Sequence, residues 1–171
     1  MSSKIFFFAL FLCIISISHQ ASQFITQSCE KTPFKDLCIS ILGSSKAVDL
    51  LSLIKEALEI TLSYGNGVLT SIPELQNKAT NPHTKVALKY CEEVYGNSVS
   101  YLNESRKAIE DKAYYDLIAW VTGDISDAVS CEDALTDYPG TLSPMTAVNT
   151  KFQQYSAIIL EFLYLLQKQN Y

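Results

Sequence analysis

Two amphipathic segments, joined by a short polar break, lie at the centre of the chain between Val86 and Leu135. In the first segment, small or apolar residues recur at alternating steps of four and three, which is the spacing of one helix face. These residues are Ala87, Cys91, Val94, Ser98, Tyr101, Ser105 and Ala108. After residues 109–112 the pattern restarts with Leu117, Val121, Ala128, Cys131 and Leu135. The pattern predicts two helices that meet near Lys112.

Cys91 and Cys131 occupy matching positions in these two helices. If the helices are antiparallel, each cysteine lies about 20 residues from the turn, so the two share a height along the helix axes. We expect a disulfide between them. The alternative is two separate buried thiols, because a free cysteine is also a common core residue.

A further stripe with the same spacing predicts a long helix over Lys46–Ile72. Its members are Ala47, Leu51, Ile54, Leu58, Thr61, Gly65, Val68 and Ile72. Ser44 or Ser45 could cap this helix. Gly65 and Gly67 weaken it and predict either close packing or a kink.

The remaining helices are marked by prolines and by one clean apolar stripe. The long helix could continue, kinked, beyond Pro73, and Asn81 is a suitable cap for a helix from Pro82 to about Ile109. The next helix is expected from about Lys112 to Thr136. The last begins at Ser143-Pro144 and carries the stripe Val148, Phe152, Tyr155, Ile159, Phe162 and Leu166.

The predicted fold is all-α. Each apolar stripe is too narrow for a lone helix, so packing the four stripes inward produces an up-down-up-down four-helix bundle over residues 44–171. Residues 22–43 form a separate unit that we interpret as two short helices with a turn at Pro33. A Cys29–Cys38 disulfide would staple this N-terminal helical hairpin, and Gly43 would end it.

Residues 1–21 have the pattern of a secretory signal peptide. Lys4 precedes an apolar run over Ile5–Ile17, and small residues follow it. The run is shorter than the roughly 20 residues that span a bilayer, although an uncleaved anchor is the alternative. We expect the chain to be secreted and the mature protein to begin between His19 and Gln23.

The four cysteines that remain after cleavage are expected to pair, because an even number in a secreted chain is typical of disulfides. Three pairings are possible. Sequence proximity favours Cys29–Cys38, and the helix heights favour Cys91–Cys131. On the chain-entropy model these links contribute roughly 3 and 4 kcal/mol.

The charge of the mature chain is negative. Of the 13 Lys and Arg residues in the full sequence Lys4 is lost, so the 18 Asp and Glu residues leave a net charge of −6. Such a chain lacks the basic patch that nucleic acid requires. An acidic surface favours a basic protein partner instead.

The sequence shows no recognisable catalytic, cofactor or metal motif, so we expect neither an enzyme nor a cofactor. His83 is a lone histidine at a helix start. Two adjacent acidic pairs, at residues 92–93 and 132–133, are interpreted as solvated helix faces, because neighbouring residues on a helix point in different directions.

Two surface features are candidates for function. Asn103 begins an Asn-Glu-Ser sequon and is a candidate glycosylation site. The predicted helix corner carries Lys112, Tyr114, Tyr115 and Asp116. The tyrosines either extend the core or, if exposed, form a protein-binding spot, since tyrosine is enriched at interfaces.

Several motifs occur together over nearly the whole mature chain. They are Cys29-Glu30-Lys31-Thr32-Pro33-Phe34, Leu37-Cys38, Cys91, Tyr114 with Asp116 and Trp120, Ser130-Cys131-Glu132-Asp133, and Leu142-Ser143-Pro144. With the signal peptide, this set resembles the plant invertase and pectin methylesterase inhibitor family. The resemblance implies a four-helix bundle with an N-terminal hairpin. It also implies disulfides between the first and second and between the third and fourth cysteines.

The resemblance further implies a secreted, non-enzymatic protein that blocks a carbohydrate enzyme in a one-to-one complex. It implies a location in the apoplast or cell wall, or in the vacuole. Family members that inhibit invertase look to carry a Pro-Lys-Phe motif ahead of the third bundle helix, which residues 111–116 lack. We therefore expect a monomeric inhibitor of pectin methylesterase, with acid invertase as the alternative target. A bundle that carries a small apolar ligand is a second alternative, and it would need a cavity between the helices.

Overall fold

The computed structural model describes residues 23–169, and the predicted signal peptide lies outside them. Residues 23–29 are helical and are called α1 here. The helices that follow are α2 (Lys35–Leu42), α3 (Leu50–Lys78), α4 (Pro82–Glu110), α5 (Tyr114–Thr136) and α6 (Thr146–Gln169). The described residues contain no strand, so the predicted all-α class is confirmed.

The four long helices form a closed ring of neighbours. Helix α3 packs against α4 and α6, and α5 packs against the same two helices. Short connections join consecutive helices, so each runs antiparallel to the one before it. The core lies between the four inward faces, and the predicted up-down-up-down bundle is confirmed.

The start of α3 differs from the prediction. Helix α3 begins at Leu50, and its cap is Asp49 instead of Ser44 or Ser45. A carboxylate oxygen of Asp49 accepts a hydrogen bond from the Ser52 backbone N–H at 2.7 Å. The Ser52 hydroxyl oxygen in turn accepts a hydrogen bond from the Asp49 backbone N–H at 3.4 Å, which completes a capping box. Hydrogen bonds from Ser52 hold the pKa of Asp49 below its usual value.

Helix α3 continues through Pro73 to Lys78, as the sequence allowed. Its glycines have two different roles. A β-carbon on Gly65 would lie 3.1 Å from the Phe152 ring of α6, whereas one on Gly67 would meet nothing within 4 Å. Of the two predicted possibilities at Gly65, the structure shows close packing.

Helices α4, α5 and α6 differ from the prediction only in details. The Asn81 side chain caps α4 as predicted, accepting from the His83 N–H at 2.8 Å. Tyr101 was expected on the buried face but is 42% exposed, and the neighbouring Leu102 is buried in its place. Helices α5 and α6 begin at Tyr114 and Thr146, two to three residues later than predicted.

Both expected disulfides are present. Cys29 is bonded to Cys38 across the N-terminal hairpin, with the two Cα atoms 5.5 Å apart. Cys91 is bonded to Cys131 between α4 and α5, with a Cα separation of 4.7 Å. All four cysteines are fully buried. The matching helix heights inferred from the sequence are therefore confirmed.

None of the helices in residues 23–169 combines the length and the apolar character that a membrane-spanning helix needs.

Candidate functional site

The turn between α4 and α5 is a tight, hydrogen-bonded corner. The Ala113 N–H donates to the Ala108 carbonyl at 2.8 Å, and the Lys112 N–H donates to the Ile109 carbonyl at 3.4 Å. Lys112 has a φ of 56°, in the left-handed region. These three features define a Schellman motif, which ends a helix and turns the chain in a fixed direction.

The predicted corner residues fall into two groups. Lys112, Tyr115 and Asp116 are exposed, and Tyr115 is 75% exposed. Tyr114 is half-buried and packs against the core. The sequence left open whether the tyrosines are core or surface, and the structure places one in each environment. Lys112, Tyr115 and Asp116 are called the corner below.

Large exposed apolar side chains concentrate on the two helices that the corner joins. In the described part of the chain, they include Val86, Tyr90 and Tyr101 on α4, and Tyr115 and Val129 on α5. Exposed aromatic side chains are typical of protein-binding surfaces. These five residues, together with Lys112 and Asp116, are called the α4–α5 side.

Glu132 is not a solvated surface residue, which corrects the expectation for residues 132–133. One of its oxygens accepts hydrogen bonds from Ser143 at 2.8 Å and from Asn149 at 2.7 Å. The other accepts from the Thr146 hydroxyl at 2.5 Å. Burial alone would raise the pKa of Glu132, but the three hydrogen bonds outweigh it and lower the pKa. Asp133 is exposed, as expected.

The same network continues into the core. The fully buried Tyr95 hydroxyl donates to the Asn149 side-chain oxygen at 2.8 Å. Asn149 is itself buried, so it connects Tyr95 of α4 with Glu132 of α5. This network positions the α5–α6 loop at the end of the bundle opposite the corner.

The sequence analysis missed Asp124. This carboxyl group is fully buried on α5, and neither of its oxygens has a hydrogen-bond partner. Burial raises its pKa to about 8. Its burial could have been predicted from its position, because Asp124 lies between Val121 and Ala128 on the apolar stripe, at steps of three and four residues.

A surface groove of about 620 Å³ runs between α3 and α6. Tyr64 and Tyr155 line it, with their rings 5.1 Å apart in a T-shaped arrangement. The Lys151 ammonium lies 5.5 Å from the Tyr64 ring centre. The groove is open to solvent, and Phe152 fills the space beneath it against Gly65. It does not provide the enclosed cavity that the ligand-carrier alternative requires.

Two other candidates from the sequence lie on the surface. His83 is exposed and stacks on the Tyr138 ring, with the ring centres 4.0 Å apart, so it joins the start of α4 to the α5–α6 loop. Asn103 is exposed on α4, and its amide donates to the Val99 carbonyl at 2.8 Å. Its glycosylation stays a prediction.

Within residues 23–169, no group of three or more His, Cys, Asp or Glu side chains is arranged to hold a metal ion.

Comparison with known proteins identifies a family for this chain. The model of the family described as plant invertase/pectin methylesterase inhibitor matches residues 23–161. The chain belongs to this family. It is therefore an inhibitor-type protein and not an enzyme, in agreement with the sequence analysis.

Some relatives in this family are named as invertase inhibitors and others as pectinesterase inhibitors. A protein from Platanus acerifolia named "Putative invertase inhibitor" is 26% identical, over 95% of this chain and 94% of its own length. A protein from Arabidopsis thaliana named "Pectinesterase inhibitor 9" is 28% identical, over 69% of this chain and 66% of its own length. The names of the relatives support inhibition of one of two enzyme classes.

A solved structure supports the fold independently. The crystal structure of a mutant form of a pectin methylesterase inhibitor from Arabidopsis superposes with a TM-score of 0.71. It covers 80% of this chain and 93% of its own chain at 18% identity. At this identity the likeness establishes the shared bundle architecture.

Proposed function

We propose that the mature chain is a secreted, monomeric inhibitor that binds a pectin methylesterase in a one-to-one complex. The α4–α5 side, with the corner at its end, is the contact surface in this proposal. Inhibition of acid invertase is the alternative.

The observation that carries the proposal is the exposure of Tyr115 on a rigid turn. Its side chain is 75% exposed, directly after the hydrogen-bonded Schellman motif at Lys112. The Cys91–Cys131 disulfide joins the two helices that form this surface. A surface that is already rigid loses little conformational entropy on docking, which favours tight binding.

The choice of enzyme is supported by the sequence around the corner and by the relatives. Residues 111–116 lack the Pro-Lys-Phe motif associated with invertase inhibition. A relative named as a pectinesterase inhibitor matches the chain, and so do solved inhibitor structures. Acid invertase stays the alternative because two Platanus relatives are named as invertase inhibitors.

Secretion is part of the proposal and rests on residues 1–21. Expression of the full chain in plant cells should release a protein whose first residue lies between His19 and Gln23. N-terminal sequencing of the protein from the extracellular fluid or the vacuole would identify that residue. A protein that keeps residues 1–21 and stays bound to membranes would contradict this part of the proposal.

The decisive experiment is a parallel titration of pectin methylesterases and acid invertases with the purified protein. The range from about pH 5 to 7.5 covers the interval between the usual carboxylate and histidine titrations. Stoichiometric inhibition of the esterase alone is the expected result. Inhibition of invertase alone would establish the alternative, and inhibition of neither would contradict the proposal.

The contact surface is tested by a matched pair of tyrosine variants. Tyr115→Ala should raise the inhibition constant at least tenfold, because truncating an anchoring aromatic side chain typically costs about 2 kcal/mol or more, and about 1.4 kcal/mol is a factor of ten. Tyr164 belongs to α6, is not one of the residues of the α4–α5 side, and is 41% exposed. Tyr164→Ala is the control and should leave the inhibition constant unchanged. Equal effects of the two changes would place the contact elsewhere.

A further inference from the structure

The centre of the bundle contains a layer of buried polar side chains. Each of the four long helices contributes one, and none is more than 1% exposed. They are Thr61 on α3, Ser98 on α4, Asp124 on α5 and Ser156 on α6. A carboxyl group is rarely fully buried without a partner, so Asp124 is the unusual member.

Asp124 and Ser156 lie at the same height on facing helices. The 2.7 Å hydrogen bond between Asn149 and Glu132 fixes the register of α6 against α5. Ser156 is seven positions beyond Asn149, and Asp124 is eight positions before Glu132. Because the helices are antiparallel, both lie roughly 10–12 Å from the hydrogen bond in the same direction.

The hydrogen-bond donors in this layer are too few for an ionised Asp124. The single hydroxyl proton of Ser98 is donated to Asp127, at 2.8 Å. Neither oxygen of Asp124 has a partner, and the Ser156 hydroxyl also has none. An ionised carboxylate in such a place is strongly unfavourable, whereas a protonated carboxyl can itself donate a hydrogen bond.

The charges around Asp124 make its ionisation still less favourable. Asp127 is three positions further on the same helix, so the two carboxyl groups are neighbours. The charged residues of α4 nearest to Ser98 are Glu93 and Glu104, roughly 8–9 Å away along the axis. On α6, Lys151 and Glu161 lie five positions on either side of Ser156, roughly 7.5 Å away along the axis. The nearest charge is thus a second negative one.

We propose that Asp124, Asp127 and Ser98 form a proton-binding site in the bundle core, which makes the fold of this inhibitor stable in acid and progressively weaker towards neutral and alkaline pH. The site acts on the fold itself, so it does not depend on which enzyme is the target.

The pKa shifts have the direction that this site requires. Burial raises the pKa of Asp124 to about 8, and the charge of Asp127 adds to the rise. Burial also raises the pKa of Asp127. An unfolded aspartate titrates near pH 3.9. The folded chain therefore binds one more proton than the unfolded chain between about pH 4 and 8, and stability falls as pH rises through this range.

The test is equilibrium unfolding in urea at pH 5, 6, 7 and 8, with both disulfides intact. In the unaltered protein the unfolding constant should increase up to about tenfold per pH unit. Asp124→Asn keeps the side-chain shape but cannot ionise, so it should remove most of this increase. Asp133→Asn changes an exposed carboxylate of the same helix and should leave the increase unchanged.

A second measurement keeps the test decisive if Asp124→Asn does not fold. Carbon-13 NMR of the unaltered protein should then show one aspartate carboxyl signal that titrates above pH 6, and Asp127→Asn should lower that midpoint. A stability that is constant from pH 5 to 8 would overturn the proposal. So would an increase that persists fully in Asp124→Asn.

Discussion

Lys112 adopts a backbone conformation that usually belongs to glycine. Its φ of 56° is required at this position of the Schellman motif, where a β-carbon is unfavourable. A left-handed conformation costs a residue with a β-carbon roughly 1–2 kcal/mol. The chain therefore keeps an exposed, charged side chain at a position where glycine would be more stable, as expected if Lys112 contacts the target.

A pair of variants separates the stability of the corner from its binding. Lys112→Gly should increase the free energy of unfolding by about 1 kcal/mol, because it relieves the left-handed strain. Lys112→Ala keeps the β-carbon and should change that free energy by less than about 0.5 kcal/mol. Both variants lose the ammonium group and should weaken inhibition similarly. Urea unfolding and enzyme titration measure the two effects, and unchanged inhibition would remove Lys112 from the contact.

The two glycines of α3 provide another comparison between residues. Gly67→Ala should stabilise the protein by about 1 kcal/mol, because alanine favours a helix and the position is open. Gly65→Ala should destabilise it by roughly 1–2 kcal/mol, since the new methyl group would lie 3.1 Å from Phe152 and overpacking outweighs the helix propensity. Thermal or urea unfolding distinguishes the two, and a stabilising Gly65→Ala would show that Phe152 can move aside.

At the scale of the elements, polar side chains hold the helix ends and apolar side chains hold the helix faces. Glu132 is the clearest case, because a single carboxylate connects the end of α5 with the start of α6. Asn149 extends that connection to Tyr95 of α4. The conformation of the α5–α6 loop is thus determined by contacts between elements.

Removal of this carboxylate should destabilise the bundle. Glu132→Ala leaves Asn149 and Ser143 without their acceptor, and we expect a loss of roughly 2–3 kcal/mol at neutral pH. Asp133→Ala is the adjacent control and should stay within about 0.5 kcal/mol. Because the folded pKa of Glu132 is lowered, its ionic contribution should disappear as pH falls through that pKa. Urea unfolding at pH 7 and pH 3 would reveal this, and equal losses at both would contradict it.

At the scale of the whole molecule, the disulfides and the charge determine how the bundle behaves. Cys91–Cys131 closes a loop with a sequence separation of 40, and Cys29–Cys38 closes one of 9. The longer link restricts the unfolded chain more. It also joins α4 to α5, so it supports the proposed contact surface directly.

Replacement of Cys91 and Cys131 by alanine should reduce the free energy of unfolding by about 4 kcal/mol. The corresponding change at Cys29 and Cys38 should cost about 3 kcal/mol and leave the α4–α5 side intact. Urea unfolding measures both, and enzyme titration should show a larger loss of inhibition for the first pair. The reverse order of inhibition would indicate that the N-terminal hairpin makes the contact.

The net negative charge of the chain predicts a salt-sensitive encounter with a basic target. Electrostatic steering raises the association rate constant, and salt screens it over about 10 Å at 0.1 M. Stopped-flow mixing with the inhibited enzyme at about 0.05 and 0.5 M salt should show an association rate that falls at least severalfold. A rate that does not change with salt would contradict steering.

The class of fold, the turns near Pro33, Asn81 and Lys112, and the favoured pairing of the cysteines could be predicted from the sequence. Repeating apolar steps indicated which faces turn inward, and Asn81 with Pro82 marked the start of α4. These signals depend on residues that are near one another in the chain, and helix geometry converts their spacing into position. The heights of Cys91 and Cys131 followed from the same geometry.

Which polar residues are buried and which aromatic residues are exposed became clear from the packing of the helices against one another. Asp124 lies on the apolar stripe but has no hydrogen-bond partner. Glu132 was expected to be solvated but accepts three hydrogen bonds, and Tyr114 and Tyr115 are separated into core and surface. The physical reason is that burial and hydrogen bonding depend on side chains of other helices. The apolar periodicity of one helix does not specify which of those side chains will face it.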